Sequence, residues 1–216
     1  MLSKIDTIIF KMELSENIEI FLMKNAQIVF STLSVTGRHK MRKKLNIHTL
    51  VVDEAGQSVE AESLIPLGLK GLKRMVLVGD TKQLPATVVS QKAVNHYFNR
   101  SMMERLELHN IPNLLNIQYR MHPEISEWPS VMYYDNSLVD GENVRTRAPL
   151  LVHQDPLNPF LRPTIFIDIP GTEKRDKNSH SILNEAEIQT TVDLVSYILK
   201  KFGIKKNIGV ITFYAS

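Results

Sequence analysis

Two adjacent carboxylates, Asp53 and Glu54, follow directly after an apolar run that ends in Val51 and Val52. Such a pair can hold Mg²⁺ through one carboxylate, while the other orients an attacking water and accepts its proton. Both groups are needed because Mg²⁺ is a hard cation and the water requires an acceptor of its own. Taken alone, the pattern is equally compatible with an ordinary strand end at the protein surface.

A second apolar run, residues 72–80, also ends in a carboxylate, Asp80, and Gln83 follows it. Both runs are continuously apolar, which indicates strands covered on both faces, as in a parallel sheet. The connection over residues 56–71 is long enough for a crossover helix. Asp53 and Asp80 are therefore predicted to lie side by side at the sheet edge where open α/β folds bind ligands. An amide at Gln83 would be able to hydrogen-bond both a γ-phosphate and an attacking water.

The rest of the chain is predicted to alternate between helices and strands. Helices are expected over residues 14–25, 100–110 and 184–202, and strands over residues 26–34, 47–55, 164–169 and 207–214, with another beginning within 113–123. Residues 37–44 are predicted as a basic loop or helix start, and residues 174–180 as a polar loop. The seam between two α/β units is predicted near residue 111.

Composition narrows the class of protein. The chain has 216 residues, enough for one large domain or two small ones, and its net charge of +3 permits nucleic-acid contact without arguing for it. The absence of cysteine excludes disulfides, thiolate zinc sites and a cysteine nucleophile, and the histidine spacing predicts no zinc. No apolar run approaches the roughly 18 residues of a membrane span, and no secretory signal is evident. We expect a soluble intracellular protein of the nucleus or the cytoplasm.

Six sequence blocks, in order, resemble those of superfamily 1 RNA/DNA helicases, most of all the senataxin-like branch that includes the nonsense-mediated-decay helicase. The blocks are STLS at 31–34, VVDEAGQ at 51–57, LVGDTKQLPATV at 77–88, SMMERL at 101–106, QYRMHPEISEWPS at 118–130 and NIGVITFY at 207–214. The resemblance implies an α/β fold of two partial RecA-like domains with mostly parallel sheets. Residues 1–110 would be the C-terminal part of the first domain and residues 111–216 the N-terminal part of the second. It further implies ATP between the domains and single-stranded RNA or DNA across their top.

The same resemblance implies catalytic roles for three residues of the first domain. Asp53 would bind Mg²⁺, which accompanies the ATP cofactor, and Glu54 would be the catalytic base. Gln83 would contact the γ-phosphate and the attacking water.

In the second domain, the resemblance implies that Tyr119 stacks on the adenine and that Arg120 reaches the γ-phosphate. A guanidinium fork suits the charge that develops on the transferred phosphoryl oxygens. Glu187 matches the acidic position that contacts the ribose. The alternative for Tyr119 is an aromatic side chain of the core.

For nucleic acid, Thr32, Ser34 and Thr212 match hydroxyl residues that hold phosphates, contacts that position a strand without reading its sequence. Capping of a strand end is an equally good explanation of each hydroxyl. A basic run follows the first of these motifs, and it either lines the nucleic-acid path or forms a solvated loop. Its members are Arg38, Lys40, Arg42, Lys43 and Lys44.

Part of the family pattern is not found in these residues. The chain has 9 glycines, none is followed by lysine, and no G-x-x-x-x-G-K-[ST] phosphate loop is present. The glycine-rich and arginine-bearing motifs that follow the last strand in the family are also missing. We therefore expect a fragment of an ATP-dependent helicase that does not hydrolyse ATP appreciably by itself. The alternative is a non-catalytic remnant that binds nucleic acid or protein, whereas the blocks at 77–88 and 118–130 disfavour a transport ATPase.

Overall fold

The computed structural model describes residues 4–145, 158–175, 181–202 and 208–213. Contacts divide the chain into two compact units, one of Met1–Gln118 with Trp128–Val139 and one of Tyr119–Glu127 with Asp140–Ser216. The chain therefore leaves the first unit after Gln118, returns to it at Trp128 and leaves again after Val139. The domain seam near residue 111 stays a prediction.

The first unit contains a 22-residue helix, followed by short helices and strands. In chain order they are α1 (Lys4–Asn25), α2 (Leu33–Thr36), α3 (His39–Lys44), β1 (Thr49–Val52), α4 (Glu60–Leu64), β2 (Arg74–Leu77), α5 (Gln91–Val94), α6 (Met102–Glu107) and β3 (Ile117–Gln118). Helix α7 (Pro123–Tyr133) begins in the second unit and ends in the first. Single 3₁₀ turns cover Ala55–Gln57 and Ile65–Gly68.

The second unit is dominated by one long helix. Its elements are β4 (Val139–Asp140), which begins at the last residue of the first unit, α8 (Glu142–Arg145), β5 (Lys174–Arg175), β6 (Ile182–Leu183) and α9 (Glu185–Phe202), with a 3₁₀ turn over Pro159–Leu161. Within the described ranges the strands form three two-stranded sheets, β1–β2, β3–β4 and β5–β6. None of the described helices is long and apolar enough to cross a bilayer.

Strands β1 and β2 pair in parallel, as predicted, but the predicted covering of both faces is wrong, since Val51 is 61% exposed and Val76 40% exposed. The register joins Thr49 to Arg74 and Val52 to Leu77, and α4 with the following 3₁₀ turn makes the crossover. The helix predicted over 14–25 is confirmed as the C-terminal part of α1, and the helices predicted over 100–110 and 184–202 are confirmed by α6 and α9, which lie within those ranges. Together these elements fix the sheet edge at which the two carboxylate motifs end.

The buried core cluster of the first unit forms around α3. Met41 and Leu45 come from α3 and its C-cap, and they pack with Leu69, which follows the crossover. Met23, Val29 and Ile47 are partly buried against that cluster. The apolar side of α3 is therefore used for packing, which leaves its basic residues toward solvent.

Three predicted strands are wrong in the residues that the structure describes. Residues 26–32 are irregular and 33–36 are helical, while residues 164–169 and 208–213 carry no strand. Phe30 is 91% exposed and Phe213 99% exposed, so neither run is buried along its whole length. A strand needs a neighbouring strand to complete its ladder, and that requirement is not written in local β propensity. Residues 207 and 214 lie outside the described ranges.

The polar loop predicted over 174–180 also differs in part. Lys174 and Arg175 form β5, which pairs antiparallel with Ile182 and Leu183 of β6. The other residues of that prediction, 176–180, lie outside the described part of the chain. Beyond β6, the side chain of Asn184 accepts from the N–H of Ala186 and so begins α9.

An ion pair fastens α6 to α4 in the first unit. Nε of Arg105 lies 2.9 Å from each carboxylate oxygen of Glu60, and Nη2 lies 2.6 Å from Oε1. The hydrogen bond from Arg105 holds the pKa of Glu60 below its ordinary value, although burial opposes the shift. The unfolded chain therefore binds the proton more readily than the folded chain.

We expect this pair to make stability depend on pH. The stabilisation is present above the ordinary glutamate pKa of about 4.3 and is lost as pH falls through the lower folded value. Urea unfolding at pH 7 and pH 3.5 should show a steeper loss of unfolding free energy for the wild type than for Glu60→Gln. Glu62→Gln changes an exposed carboxylate of the same helix and keeps the ion pair, so it should retain the wild-type slope. Equal slopes in all three proteins would contradict this account.

Candidate functional site

The candidate site begins at the carboxyl edge of the β1–β2 sheet. The pairing continues past both strands, because the N–H of Val78 donates to Val52 O at 2.8 Å and the N–H of Ala55 donates to Val78 O at 2.9 Å. Asp53 follows β1 at this edge, and Asp80 follows β2. The structure thus brings the two predicted carboxylate motifs to one side of one sheet.

Glu54 stands in an unusual backbone conformation. Its φ of 53° and ψ of 38° lie in the left-handed region, which costs energy for a residue with a side chain. The N–H of Glu54 donates to Oδ1 of Asp53 at 3.1 Å, and the N–H of Gln57 donates to Glu54 O at 2.9 Å. The 3₁₀ turn over Ala55–Gln57 therefore follows immediately and holds this conformation.

The side chain of Glu54 is exposed and has a defined partner. Nε2 of Gln57 donates to Oε2 of Glu54 at 3.1 Å, which leaves the rest of the carboxylate accessible to solvent. Asp53 is exposed as well. An accessible carboxylate whose orientation is held by an amide is suited to accept a proton from water. Gln57 was not singled out from the sequence, although it closes the VVDEAGQ block.

Two glycines allow the turns after β1 and β2 to touch. A methyl group on Gly56 would lie 2.8 Å from the carbonyl oxygen of Asp80, and one on Gly79 would lie 2.9 Å from the backbone nitrogens of Ala55 and Gly56. These neighbours are backbone atoms, so they cannot rotate away as a side chain would. Only glycine permits the approach that holds the Asp53–Glu54 turn against the Asp80 loop.

Adding a side chain at Gly56, where the two turns touch, should destabilise the fold. We expect Gly56→Ala to lower the unfolding free energy by about 1–3 kcal/mol, since overpacking forces backbone shifts. Gly209→Ala is the matched control, because nothing lies within 4 Å of the added carbon there. Urea unfolding monitored by circular dichroism measures both. A loss for Gly56→Ala no larger than that for Gly209→Ala would show that the two turns are free to separate.

Gln83 belongs to a small polar cluster centred on Asp80. Nε2 of Gln83 donates to Oδ2 of Asp80 at 2.8 Å, and the N–H of Lys82 donates to Oδ1 at 2.9 Å. The hydroxyl of Tyr134 donates to the same Oδ2 at 2.5 Å. Burial raises the pKa of Asp80, but the three hydrogen bonds outweigh burial and bring the pKa below its ordinary value. Asp80 therefore stays an acceptor at neutral pH.

The predicted residues of the second unit are Tyr119, Arg120, Glu187 and Thr212. Tyr119 is 60% exposed, which weighs against a core aromatic, and its ring packs where a side chain on Gly141 would stand. Arg120 is exposed. Glu187 lies in the first turn of α9, where its Oε1 accepts from Nδ2 of Asn184 at 2.9 Å. Their proposed ligand contacts stay predictions.

The predicted phosphate-binding hydroxyls of the first unit lie around α2. Thr32 is the N-cap residue of α2 but its side chain makes no capping hydrogen bond, and Ser34 is inside the helix. Both are exposed. Of the basic run in α3, Lys40 pairs with Glu19 of α1 and Nε of Arg42 reaches Gly68 O at 3.5 Å.

The residues at the sheet edge offer carboxylate oxygens, a kind of ligand that suits Mg²⁺. Across the described residues, no group of three or more His, Cys, Asp or Glu side chains is placed to hold an ion. Mg²⁺ is ordinarily bound by one or two carboxylates together with waters and substrate phosphates, and not by an all-protein cage. The exposed carboxylate of Asp53 therefore fits a magnesium ion that arrives with a nucleotide.

Comparison with known proteins places the chain in a family. Two family models, each described as an AAA domain, match residues 9–91 and residues 98–216. Helicase sen1 of Schizosaccharomyces pombe is 40% identical over 202 residues, which are 90% of this chain and 12% of that protein. Helicase SEN1 of Saccharomyces cerevisiae is 36% identical over 204 residues, 92% of this chain and 9% of that protein. The Regulator of nonsense transcripts 1 homolog of Neurospora crassa is 36% identical over 210 residues, 94% of this chain and 18% of that protein.

The matches define the class first: this is an α/β protein with AAA-type helicase domains. The chain belongs to the superfamily 1 helicases, in the senataxin-like branch that includes the nonsense-mediated-decay helicase. The predicted RecA-like α/β fold and the predicted resemblance are both confirmed. The chain spans only about a tenth to a fifth of the length of these relatives.

Proposed function

We propose that this chain carries part of an ATP-dependent RNA or DNA helicase, which couples ATP hydrolysis to movement along a single strand. The observation that supports it most is the close contact between the turns after β1 and β2. It gathers Asp53, Glu54 and Gln83 at the sheet edge where α/β folds bind ligands. Family membership supports ATP and Mg²⁺ as the cofactors.

Three residues of the first unit carry the proposed chemistry. Asp53 holds Mg²⁺, which supplies charge neutralisation at the phosphate oxygens when bound. Glu54 orients the attacking water and accepts its proton, and its exposed carboxylate is already steadied by Gln57. Gln83 hydrogen-bonds the γ-phosphate and the water, and so reports whether that phosphate is present.

Four residues of the second unit complete the proposed contacts. Tyr119 stacks on the adenine, for which its exposed ring is available. Arg120 meets the charge on the γ-phosphate with a guanidinium fork. Glu187 contacts the ribose, and Thr212 holds a phosphate of the nucleic acid.

The nucleic-acid contacts of the first unit are assigned to α2 and α3. Thr32 and Ser34 present exposed hydroxyls to phosphates, and Thr32 is not used as a cap. The exposed members of the basic run add a non-specific electrostatic attraction, which makes binding dependent on salt. We propose an intracellular site of action, in the nucleus or the cytoplasm, with single-stranded RNA or DNA as the partner.

The rival function is a non-catalytic module that binds nucleic acid or protein. The neighbouring coding sequence separates the two, because the helicase account requires an in-frame phosphate loop upstream and an arginine-bearing motif downstream. Filter binding to single-stranded RNA tests the module directly. Tight, salt-sensitive binding without any ATP turnover, in a gene that lacks both flanking motifs, would favour the rival over the helicase.

A further inference from the structure

Tyr134 has been given no functional role so far, yet its hydroxyl makes the shortest hydrogen bond to Asp80. Its hydroxyl lies 2.5 Å from Oδ2 of Asp80, the same oxygen that accepts from the amide of Gln83. A phenol that donates to a carboxylate forms a charge-assisted bond, which is stronger than one between neutral groups. Tyr134 is half-buried, so water competes only partly for this bond.

We propose that Tyr134 is a positioning residue, which acts through Asp80 to fix the side-chain amide of Gln83 in one orientation. The role of Gln83 on which this rests is that of the proposed function. The three side chains lie in the same compact unit, since Tyr134 belongs to the segment Trp128–Val139 that returns to it.

The orientation matters because an amide has two different ends. A carboxylate only accepts hydrogen bonds, so Asp80 holds the NH₂ end of Gln83 and directs the carbonyl end away. The carbonyl oxygen can then accept a hydrogen bond from an attacking water, and the second N–H of the amide can donate to the γ-phosphate. If the Asp80 side chain were free to rotate, the Gln83 amide would lose this hydrogen bond, and either its NH₂ group or its carbonyl group could face the site.

Asp80 is held from both sides. Its Oδ1 accepts the backbone N–H of Lys82, and its Oδ2 accepts from Tyr134 and Gln83. Burial, together with the bond to Asp80, raises the pKa of the Tyr134 phenol, and a direct hydrogen bond with the Gln83 side chain offsets the rise only in part, so Tyr134 remains a proton donor at neutral pH. The hydrogen bond from Tyr134 to Asp80 therefore persists at neutral pH.

The backbone around Tyr134 is fixed as well. The N–H of Tyr134 donates to Ser130 O at 3.1 Å, and Tyr134 O accepts from the N–H of Ser137 at 2.8 Å. Asp135 and Asn136 follow with φ of 49° and 55°, left-handed values that end α7 abruptly. The N–H of Asn136 closes the turn on Ser130 O at 2.9 Å. A hydroxyl presented from so constrained a turn can hold Asp80 in place.

The first test observes the side-chain amide of Gln83 by ¹H–¹⁵N NMR in the 216-residue chain, with Gln83→Leu used to assign the signal. We expect Tyr134→Phe to shift the Gln83 NH₂ signals toward free-amide values and to increase the side-chain mobility. Tyr133→Phe is the matched control, because Tyr133 packs against Trp128 and makes no such bond with Asp80. A Gln83 amide unchanged in Tyr134→Phe would overturn the proposal.

A second variant, Asp80→Asn, tests the proposal independently in case Tyr134→Phe does not fold. Asp80→Asn keeps the shape of the side chain but can donate as well as accept, so it no longer dictates which end of Gln83 faces it. We expect it to change the Gln83 signals as Tyr134→Phe does, while the backbone spectrum outside the cluster stays that of the wild type. Wild-type Gln83 signals in Asp80→Asn would likewise contradict the proposal.

Nucleotide binding separates this inference from the proposed function. In a fusion that supplies a phosphate loop, and with Mg²⁺ present, Tyr134→Phe should reduce the preference for ATP over ADP by about tenfold, the effect of one hydrogen bond to a charged group. If the wild type shows no such preference while Tyr134→Phe still releases the amide, the γ-phosphate role of Gln83 fails and the positioning contact stands. If the preference exists and Tyr134→Phe leaves the amide and the preference intact, the positioning role fails and the nucleotide site stands.

Discussion

The 216-residue chain should release phosphate from ATP about 10³–10⁵-fold more slowly than a longer protein in which the same residues carry a phosphate loop and an arginine-bearing motif. The backbone amides and lysine of a phosphate loop supply much of the binding to the β- and γ-phosphates. An arginine finger alone accounts for a factor of this size. Steady-state phosphate release with saturating single-stranded RNA measures the difference.

A fusion that supplies the missing motifs is the matched comparison, since it holds every residue of this chain constant. We expect the fusion to restore turnover and the chain alone to stay near background. Turnover by the chain alone at the rate of a complete helicase, stimulated by RNA and abolished by Glu54→Gln, would contradict the account. It would mean that another group in this chain binds the phosphates.

Glu54→Gln should have the second large effect, in a protein that has the complete site. We expect kcat to fall by about 10²–10⁴-fold, the usual contribution of a positioned general base. An amide in place of the carboxylate cannot take the proton, although it can still contact Gln57. Because the change is made at an exposed side chain, we expect nucleotide affinity and unfolding free energy to remain close to those of the wild type.

Glu62→Gln provides the control for this variant, as an exposed glutamate on the helix α4 that follows the same turn. It should leave kcat within twofold of the wild type. A fall in kcat for Glu62→Gln as large as for Glu54→Gln would indicate a general charge effect. Unchanged turnover in Glu54→Gln would remove Glu54 from the catalytic role.

The sequence was sufficient to place Asp53 and Asp80 at one sheet edge. Their position depends only on the two apolar runs that precede them and on the parallel pairing of β1 with β2. A continuous apolar run followed by Asp53 and Glu54 predicted a buried strand end, and a second such run predicted its parallel neighbour. The register of Val52 with Leu77 and the crossover α4 confirm the parallel pairing, whereas the predicted burial of both strand faces is wrong. The α/β class and the sheet edge could therefore be inferred from the sequence alone.

The contacts that hold the site could not be predicted in the same way. Gly56 and Gly79 occur in recognisable motifs, but their mutual approach is visible only when the two turns are placed together. Tyr134 is separated from Asp80 by 54 positions, and no periodicity relates them. Hydrogen bonds between residues so distant in sequence depend on how the chain returns to a unit, which local patterns do not encode.

The wrong strand predictions share one physical cause. Residues 26–34 and 207–214 are β-branched and aromatic, a composition that fits a half-buried pleated surface. In the described residues these segments find no neighbouring strand, and Phe30 and Phe213 stay exposed. Composition gives the β propensity of a segment, whereas strand formation also requires a neighbouring strand that completes its hydrogen bonds.

The measurement that tests the central claim most directly uses Mn²⁺ with ATP, added to the ¹⁵N-labelled chain. Mn²⁺ accepts the same oxygen ligands as Mg²⁺ and broadens nearby amide signals even when binding is weak. We predict that the amides of Asp53, Glu54, Gly56 and Gln83 broaden first, and that Asp53→Asn abolishes the effect. Asp193→Asn, at an exposed carboxylate of α9, should leave it unchanged. Broadening centred elsewhere, or broadening at the β1–β2 edge that survives Asp53→Asn, would contradict the assignment of this edge as the metal–nucleotide site.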